Sequence, residues 1–167
     1  MAEQTRVVAL LVTNPALSSI LSMVLAAVPS LRVRPFESQV ALSTYMRLAP
    51  VDLIVADFDS ETAPADAVAH RLRDDPQGDR RNVQIIALTG AVTPEIKRAS
   101  IGAGIDEIIV KPMSPKYLLE RVLSGLQRQA PRALRPLPAR SSPSRIDLAR
   151  AGSNVIPLFG RRLEPTH

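Results

Sequence analysis

Two patterns of apolar residues alternate along the first 128 positions of the chain. Short apolar runs without polar interruption are typical of strands buried on both faces of a parallel sheet. Such runs predict strands at residues 6–12, 53–57, 83–88 and 107–110, and residues 31–36, with Pro35 and two arginines, suit a short edge strand. Between them, apolar residues spaced three and four apart indicate amphipathic helices. The predicted helices cover about residues 15–28, 39–48, 65–73, 94–103 and 115–126.

The boundaries of several helices carry local signals. Asn14-Pro15, Thr93-Pro94 and Ser114-Pro115 each place a polar N-cap residue before a proline. Proline suits the first helical position, because its missing N–H would have no partner in the helix. Gly104 fits a left-handed C-terminal stop. These signals support the helix assignments independently of the apolar periodicity.

Five strands alternating with five helices predict an α/β fold over residues 1–128. With right-handed crossovers, the expected architecture is a flavodoxin-like, doubly wound (βα)5 parallel sheet in strand order 2-1-3-4-5. Ligands and chemistry lie at the carboxyl ends of the strands in such sheets. We therefore expect residues 12–14, Asp57, Thr89 and Lys111 to meet at one edge.

Composition excludes several classes of function. Apolar residues make up 46% of the chain, enough for a core, but aromatic residues only 3%, so stacking on bases is not expected. With no cysteine and only two histidines, neither a Cys or His metal site nor a His-based triad is expected. The sequence VTNPAL replaces a glycine-rich loop after the first strand, which argues against an enzyme that binds nucleotide or flavin.

No apolar run is long enough to span a bilayer, and the short run after the N-terminus lacks the pattern of a cleaved signal. We therefore expect a cytoplasmic protein. The net charge of +5 is concentrated in the last 41 residues, which carry eight arginines and two acids. Residues 129–167, rich in Pro, Arg and Ser, are predicted to be a disordered tail.

The tail contains one apolar segment, residues 155–159. It would be a docking peptide, a segment that folds back on the domain, or a segment without a role. The basic charge would also allow weak, salt-sensitive binding to nucleic acid or to an anionic membrane surface. Nucleic acid is nevertheless not the expected partner, because the tail has neither aromatic interleaving nor a recognition helix.

A carboxylate, a hydroxyl and an ammonium at one edge of a sheet have a chemical meaning. The carboxylate of Asp57 would act as a nucleophile toward a phosphoryl group. The ammonium of Lys111 would neutralise charge on the phosphoryl oxygens, and the hydroxyl of Thr89 would bond one of them. The alternatives are a structural Asp57–Lys111 salt bridge and a threonine that bonds nearby backbone.

Three segments resemble the receiver domains of response regulators in two-component signalling. VDLIVAD resembles the strand that ends in the phosphoaccepting Asp, here Asp57. VQIIALTG resembles the strand that ends in the switch Thr or Ser, here Thr89, and AGIDEIIVKPMSP resembles the segment with the Lys-Pro pair, here Lys111-Pro112. The resemblance covers about residues 5–128 and implies a cis bond before Pro112.

The sequence departs from this family at the metal site. Receivers normally end the first strand with two acids that help to hold Mg²⁺, and here Val12 and Thr13 stand at those positions. Mg²⁺ prefers oxygen ligands and usually binds through one or two carboxylates. We therefore predict no cofactor, and weak or absent phosphorylation of Asp57. Asp59 and Glu61 add carboxylates near the edge but are not expected to rebuild the site.

Two further departures concern switching. An aromatic residue often lies three positions before the family's Lys, and here that position is Ile108. A proline often lies four positions after the phosphoaccepting Asp, and here that position is Glu61. Because Ile108 is not aromatic, the side-chain rotor that accompanies phosphorylation in the family is absent from this sequence.

The resemblance implies a stand-alone receiver-like protein in a phosphorelay, which acts by protein–protein contact and is not an enzyme. Its partner would be a sensor kinase, a phosphotransfer protein or another regulator, with no small-molecule substrate. Receivers commonly dock partners on the fourth helix, fifth strand and fifth helix. Here that surface would include Lys97, Arg98, Ile101, Lys116 and Arg121. The alternative is a fully functional phosphoaccepting response regulator.

Overall fold

The computed structural model describes residues 4–76, 82–129 and 155–157. Strands and helices alternate along the domain, and one further strand follows near the C-terminus. The elements are β1 (Arg6–Leu11), α1 (Pro15–Ala26), β2 (Leu31–Pro35), α2 (Gln39–Leu48), β3 (Leu53–Asp57), α3 (Ala65–Arg73), β4 (Gln84–Thr89), α4 (Pro94–Ala103), β5 (Glu107–Val110), α5 (Pro115–Arg128) and β6 (Val155–Pro157).

The strands form one sheet in the order β2-β1-β3-β4-β5-β6. The first five strands are parallel, which confirms the predicted flavodoxin-like order 2-1-3-4-5. Leu11 of β1 pairs with Ala56 of β3, and Asp57 pairs with Leu88 of β4. This register aligns the carboxyl ends of the central strands at one edge of the sheet.

Two apolar clusters cover the two faces of the sheet. On β1, Val8 and Leu10 belong to the cluster that includes α1 and α5, whereas Ala9 and Leu11 belong to the cluster that includes α2 and α3. All four of these residues are buried, because helices cover both faces. Burial on both faces explains why the strands appear in the sequence as continuous apolar runs.

The predicted caps are present at the helix termini. The side chains of Asn14, Thr93 and Ser114 accept hydrogen bonds from backbone N–H groups three residues later, at 3.1, 3.2 and 3.1 Å. Gly104 ends α4 with φ at 77°, the left-handed conformation expected at this position. A Cβ there would lie 3.0 Å from Nε of Arg73, whose guanidinium donates to the Gly104 carbonyl.

One short strand lies within the predicted tail. Residues 155–157 form β6, which pairs antiparallel with β5, so that Ile156 lies opposite Ile108. This part of the apolar segment 155–159 therefore folds back on the domain, one of the three possibilities left open. The other residues of the predicted tail beyond Gln129 lie outside the described part of the chain.

The amino-terminal ends of the strands carry ion pairs that hold α5 in place. Glu107 of β5 is 1% exposed, and Arg121 donates to its two carboxylate oxygens at 3.0 and 2.7 Å. Arg128 pairs with the same carboxylate. Within residues 4–76, 82–129 and 155–157, no helix has the length and apolar character needed to cross a bilayer.

Candidate functional site

Three strand ends bring together the side chains singled out in the sequence. Asp57 is the last residue of β3, Thr89 is the last residue of β4, and Lys111 follows β5 directly. The backbone N–H of Lys111 donates to the carbonyl of Thr89 at 2.7 Å. The peptide bond between Lys111 and Pro112 is cis, as the family resemblance implied.

Asp57 and Lys111 form the expected ion pair. Lys111 Nζ lies 3.0 Å from Asp57 Oδ1, which also accepts a hydrogen bond from the Asp59 backbone N–H at 3.1 Å. The side chain of Asp57 is 6% exposed and that of Lys111 is 25% exposed. The Asp57 carboxylate is therefore buried, and the Lys111 ammonium is the more exposed of the two groups.

Asp59, which the sequence predicts near the edge without a role, lies at the centre of the site in the structure. Its Oδ1 accepts a hydrogen bond from Thr89 Oγ1 at 3.0 Å, and its Oδ2 accepts one from the Gly90 backbone N–H at 2.6 Å. Lys111 Nζ lies 3.1 Å from the same Oδ2. Asp59 thus accepts hydrogen bonds from groups at the ends of both β4 and β5.

The hydroxyl of Thr89 is fully buried and lies between two acceptors. Besides Asp59, the carbonyl of Ala91 lies 2.9 Å from Thr89 Oγ1. The hydroxyl has a single proton, and a carboxylate is the stronger acceptor of the two. We therefore assign this proton to the bond with Asp59, which fixes the side chain of Thr89.

The charges in the site stabilise one another. Burial raises the pKa of Asp59, but hydrogen bonds from Gly90, Lys111 and Thr89, with the charge of Lys111, outweigh it and lower the pKa below its ordinary 3.8. Burial lowers the pKa of Lys111, but its bonds to Asp57 and Asp59 and their charges outweigh it and raise the pKa above its ordinary 10.5. At neutral pH, Asp59 is an anion and Lys111 is a cation.

The residues present do not fit a Mg²⁺ ion. Val12, which follows β1 beside Asp57, is apolar and 7% exposed, and Thr13 is not an acid. In the described part of the chain, no three His, Cys, Asp or Glu residues cluster so as to hold a metal. The carboxylates of Asp57 and Asp59 instead share the ammonium of Lys111, a cation already in place between them.

Two other residues named in the sequence analysis lie where they take no direct part in this network. Glu61 is exposed on the loop after β3. Ile108, which stands where the family often has an aromatic rotor, is fully buried in the core. This position of β5 therefore carries a buried aliphatic side chain and not an aromatic ring.

Four of the five residues named on the predicted docking surface of α4 and α5 are exposed. The side chains of Lys97, Arg98, Ile101 and Lys116 are exposed. Arg121 differs from the prediction, because its guanidinium binds the buried Glu107 and so is not a free docking charge. The pairing of β6 with β5 also occupies an edge of β5, the strand that belongs to the predicted surface.

No protein-family model matches this sequence, and no curated protein matches it. Among solved structures, the chain is similar to the signal receiver domain of a signal transduction histidine kinase from Syntrophus aciditrophicus. The two share 19% identity with a TM-score of 0.67, over 81% of this chain and 99% of that one.

Two response regulators are similar at the same level. A chemotaxis response regulator of Vibrio cholerae, crystallised at low pH, shares 19% identity with a TM-score of 0.65, over 72% of this chain and 98% of that one. A response regulator from Thermotoga maritima shares 21% identity with a TM-score of 0.62, over 74% and 98%. The expected resemblance is confirmed at the level of the fold: residues 4–76 and 82–129 have the fold of response regulator receiver domains.

Proposed function

We propose that this chain is a receiver-like protein of phosphorelay signal transduction that acts by protein–protein contact in the cytoplasm. Asp57 is the candidate phosphoacceptor, and its Mg²⁺-dependent phosphorylation is weak or absent. The observation that supports this is that Val12 and Thr13, and not two acids, follow β1, while the Lys111 ammonium lies 3.0 Å from Asp57 and 3.1 Å from Asp59.

The chemistry of phosphoryl transfer explains the expected weakness. A carboxylate oxygen must approach the phosphorus in line with the leaving group, and cations must offset the charge on the equatorial oxygens. Asp57 is 4% exposed, and one of its oxygens is bonded to Lys111. Val12 stands where the family has an acid. The chain after β1 therefore offers no carboxylate that could help to bring a metal to Asp57.

The proposed role is that of a signalling module and not of an enzyme. Its partner would be a sensor kinase, a phosphotransfer protein or another regulator. The exposed part of the surface on α4 and α5 supports this proposal, because it combines an apolar side chain, Ile101, with the cations Lys97, Arg98 and Lys116. Charged residues around an apolar centre are typical of transient protein interfaces.

Phosphorylation is tested on the full chain with acetyl phosphate and Mg²⁺, followed by intact-protein mass measurement. We expect little or no phosphoryl adduct in the wild type and none in Asp57→Asn. Rapid, stoichiometric uptake that is lost in Asp57→Asn would contradict the proposal and support the alternative, a fully functional phosphoacceptor.

Partner contact is tested with two matched variants. Ile101 on α4 and Ile20 on α1 are 43% and 44% exposed, so that Ile101→Glu and Ile20→Glu introduce the same change on different surfaces. We expect Ile101→Glu, and not Ile20→Glu, to weaken binding to purified kinase, phosphotransfer or regulator proteins of the same organism. Equal binding by both variants and the wild type would rule out this surface.

A further inference from the structure

The groups that surround the Asp59 carboxylate form an oxyanion site. A hydroxyl from Thr89, a backbone N–H from Gly90 and an ammonium from Lys111 converge on its two oxygens at 3.0, 2.6 and 3.1 Å. All three contacts are charge-assisted, because the acceptor is an ionised carboxylate. An anion with the oxygens of a phosphoryl or sulfate group would bond the same three donors.

Asp59 reaches these donors because of its place in the chain. It lies two residues beyond the end of β3, and its own backbone N–H donates to Asp57 at 3.1 Å. This bond turns the chain so that the Asp59 side chain is directed across the sheet edge toward the ends of β4 and β5. The loop after β4 is close: a Cβ on Gly90 would lie 3.4 Å from Asp59 Oδ2.

We propose that Asp59 is a built-in anion that occupies the site where a phosphoryl group on Asp57 would bind Thr89, Gly90 and Lys111. The side chain thereby holds the end of β4 and the following loop in one conformation without phosphorylation. This inference extends the proposed function, because it assigns what sets the state of the receiver-like domain.

The charges of the site also support its occupation by the Asp59 carboxylate. Two carboxylates, Asp57 and Asp59, face the single cation Lys111. A phosphoryl group would add about two further negative charges to these, at a place where the family's two acids after the first strand are replaced by Val12 and Thr13. Removal of Asp59 would leave Asp57 and Lys111 as a neutral pair and would free the hydroxyl and the N–H for an external anion.

Sulfate is the probe, because it presents the same tetrahedral oxygens and cannot be transferred to Asp57. We compare the full-length wild type, Asp59→Ala and Glu61→Ala by following the backbone resonances of Thr89 and Gly90 as sulfate is added. Glu61→Ala is the matched control, because it removes the same charge from an exposed position of the same loop. Sodium chloride at equal ionic strength controls for screening.

We expect saturable shifts at Gly90 in Asp59→Ala, with sulfate bound roughly tenfold or more tightly than in the wild type or Glu61→Ala. Without sulfate, the Gly90 amide resonance of Asp59→Ala should also move away from its wild-type position. Equal sulfate binding by all three proteins, or a Gly90 resonance unchanged in Asp59→Ala, would overturn the proposal.

A second variant keeps the proposal testable if Asp59→Ala does not fold. Asp59→Asn retains an acceptor oxygen but not the charge, so it should bind sulfate with an affinity between those of the wild type and Asp59→Ala. Sulfate binding no tighter than in the wild type would count against the proposal. These measurements use no phosphodonor, metal or partner protein, so their failure is distinct from failure of the proposed function.

Discussion

Asp59 Oδ2 lies 2.6 Å from the backbone N–H of Gly90, a contact that joins the loop after β3 to the loop after β4. The two residues are 31 positions apart, and Gly90 itself is exposed. A side chain, and not the sheet, therefore fixes the start of the β4–α4 loop. The same carboxylate bonds Thr89 and lies beside Lys111, so one residue links all three strand ends of the site.

Replacement of Lys111 by methionine should destabilise the domain by about 2 kcal/mol, because two carboxylates would lose their shared cation. Asp57 is the buried member of this group, with a side chain 6% exposed, whereas Asp59 is partly solvated. Lys116→Met is the control, because that side chain is exposed and should change stability by less than about 0.5 kcal/mol. Urea unfolding measures both, and equal effects would contradict the prediction.

The double variant Asp57→Asn, Lys111→Met should recover part of the loss seen in Lys111→Met alone. Asp57→Asn removes the buried negative charge, so no unpaired carboxylate remains at this position when Lys111 is also replaced. A double variant that loses the sum of the two single effects would show that Asp57 and Lys111 do not interact energetically.

The lowered pKa of Asp59 predicts a dependence of stability on acid pH. A carboxylate whose folded-state pKa is lowered stabilises the fold above its unfolded pKa, and this contribution is lost as the pH falls through the folded value. For Asp59 the loss begins below the ordinary value of 3.8. Two charged groups face Asp59. Lys111 stays protonated over this pH range. Asp57 is present in both the wild type and the Asp59→Asn variant, so it does not distinguish the two proteins.

Thermal unfolding of the wild type and Asp59→Asn between about pH 5 and pH 2.5 measures this contribution. The melting temperature of the wild type should fall more steeply than that of Asp59→Asn below the ordinary pKa. Glu61→Gln should follow the wild type, because Glu61 is exposed on the same loop. Parallel curves for the wild type and Asp59→Asn would show that Asp59 does not couple to folding.

Restoring acids after β1 should create a metal site. Val12 is 7% exposed, so Val12→Asp with Thr13→Asp should cost about 2 kcal/mol in the absence of metal. Mg²⁺ at about ten times its Kd should return roughly 1.4 kcal/mol, because it binds only the folded state. Calorimetry and metal-dependent melting measure the effect, and Thr13→Asp alone is the control. No response to Mg²⁺ would contradict the alignment of these two positions with the family's acids.

Replacement of Ser100 on α4 by alanine should stabilise the domain by about 1 kcal/mol. Its hydroxyl is fully buried and has no hydrogen-bond partner among the described residues. Ser19→Ala on α1 is the control for helix propensity, because Ser19 is exposed and the same change there is worth only about 0.5 kcal/mol. If Ser100→Ala gains no more than Ser19→Ala in chemical unfolding, the buried hydroxyl carries no penalty.

The helices and strands could be predicted from the sequence because their signals are local. Asn14-Pro15 marks the start of α1, Gly104 marks the end of α4, and the run before Asp57 is apolar on both faces, as β3 requires. Parallel pairing then brings the last residues of neighbouring strands to one edge. For this reason Asp57, Thr89 and Lys111 could be placed together before the structure was known.

The role of Asp59 could not be predicted in the same way. Its partners Thr89, Gly90 and Lys111 are between 30 and 52 positions away, and the contacts depend on the path of a short loop that carries no periodicity. The one sequence signal was a second carboxylate two residues past the strand end. That signal is compatible equally with solvent exposure, metal binding and the internal bonds observed.

The pairing of Arg121 with Glu107 was missed for a related reason. On a helix with exposed charged neighbours, an arginine resembles any other surface cation. Its partner is a glutamate at the start of a buried strand, and the bond depends on the angle at which α5 crosses β5. Such long-range contacts leave no repeating pattern in the sequence.

The short strand β6 has a consequence for any shortened version of this protein. Without it, β5 would present a row of unpaired backbone groups, and open sheet edges of this kind invite pairing with other chains and aggregation. With it, the outermost strand is only three residues long and ends in Pro157, which has no N–H to donate. A fragment that stops after α5 would expose an edge that the longer chain keeps covered.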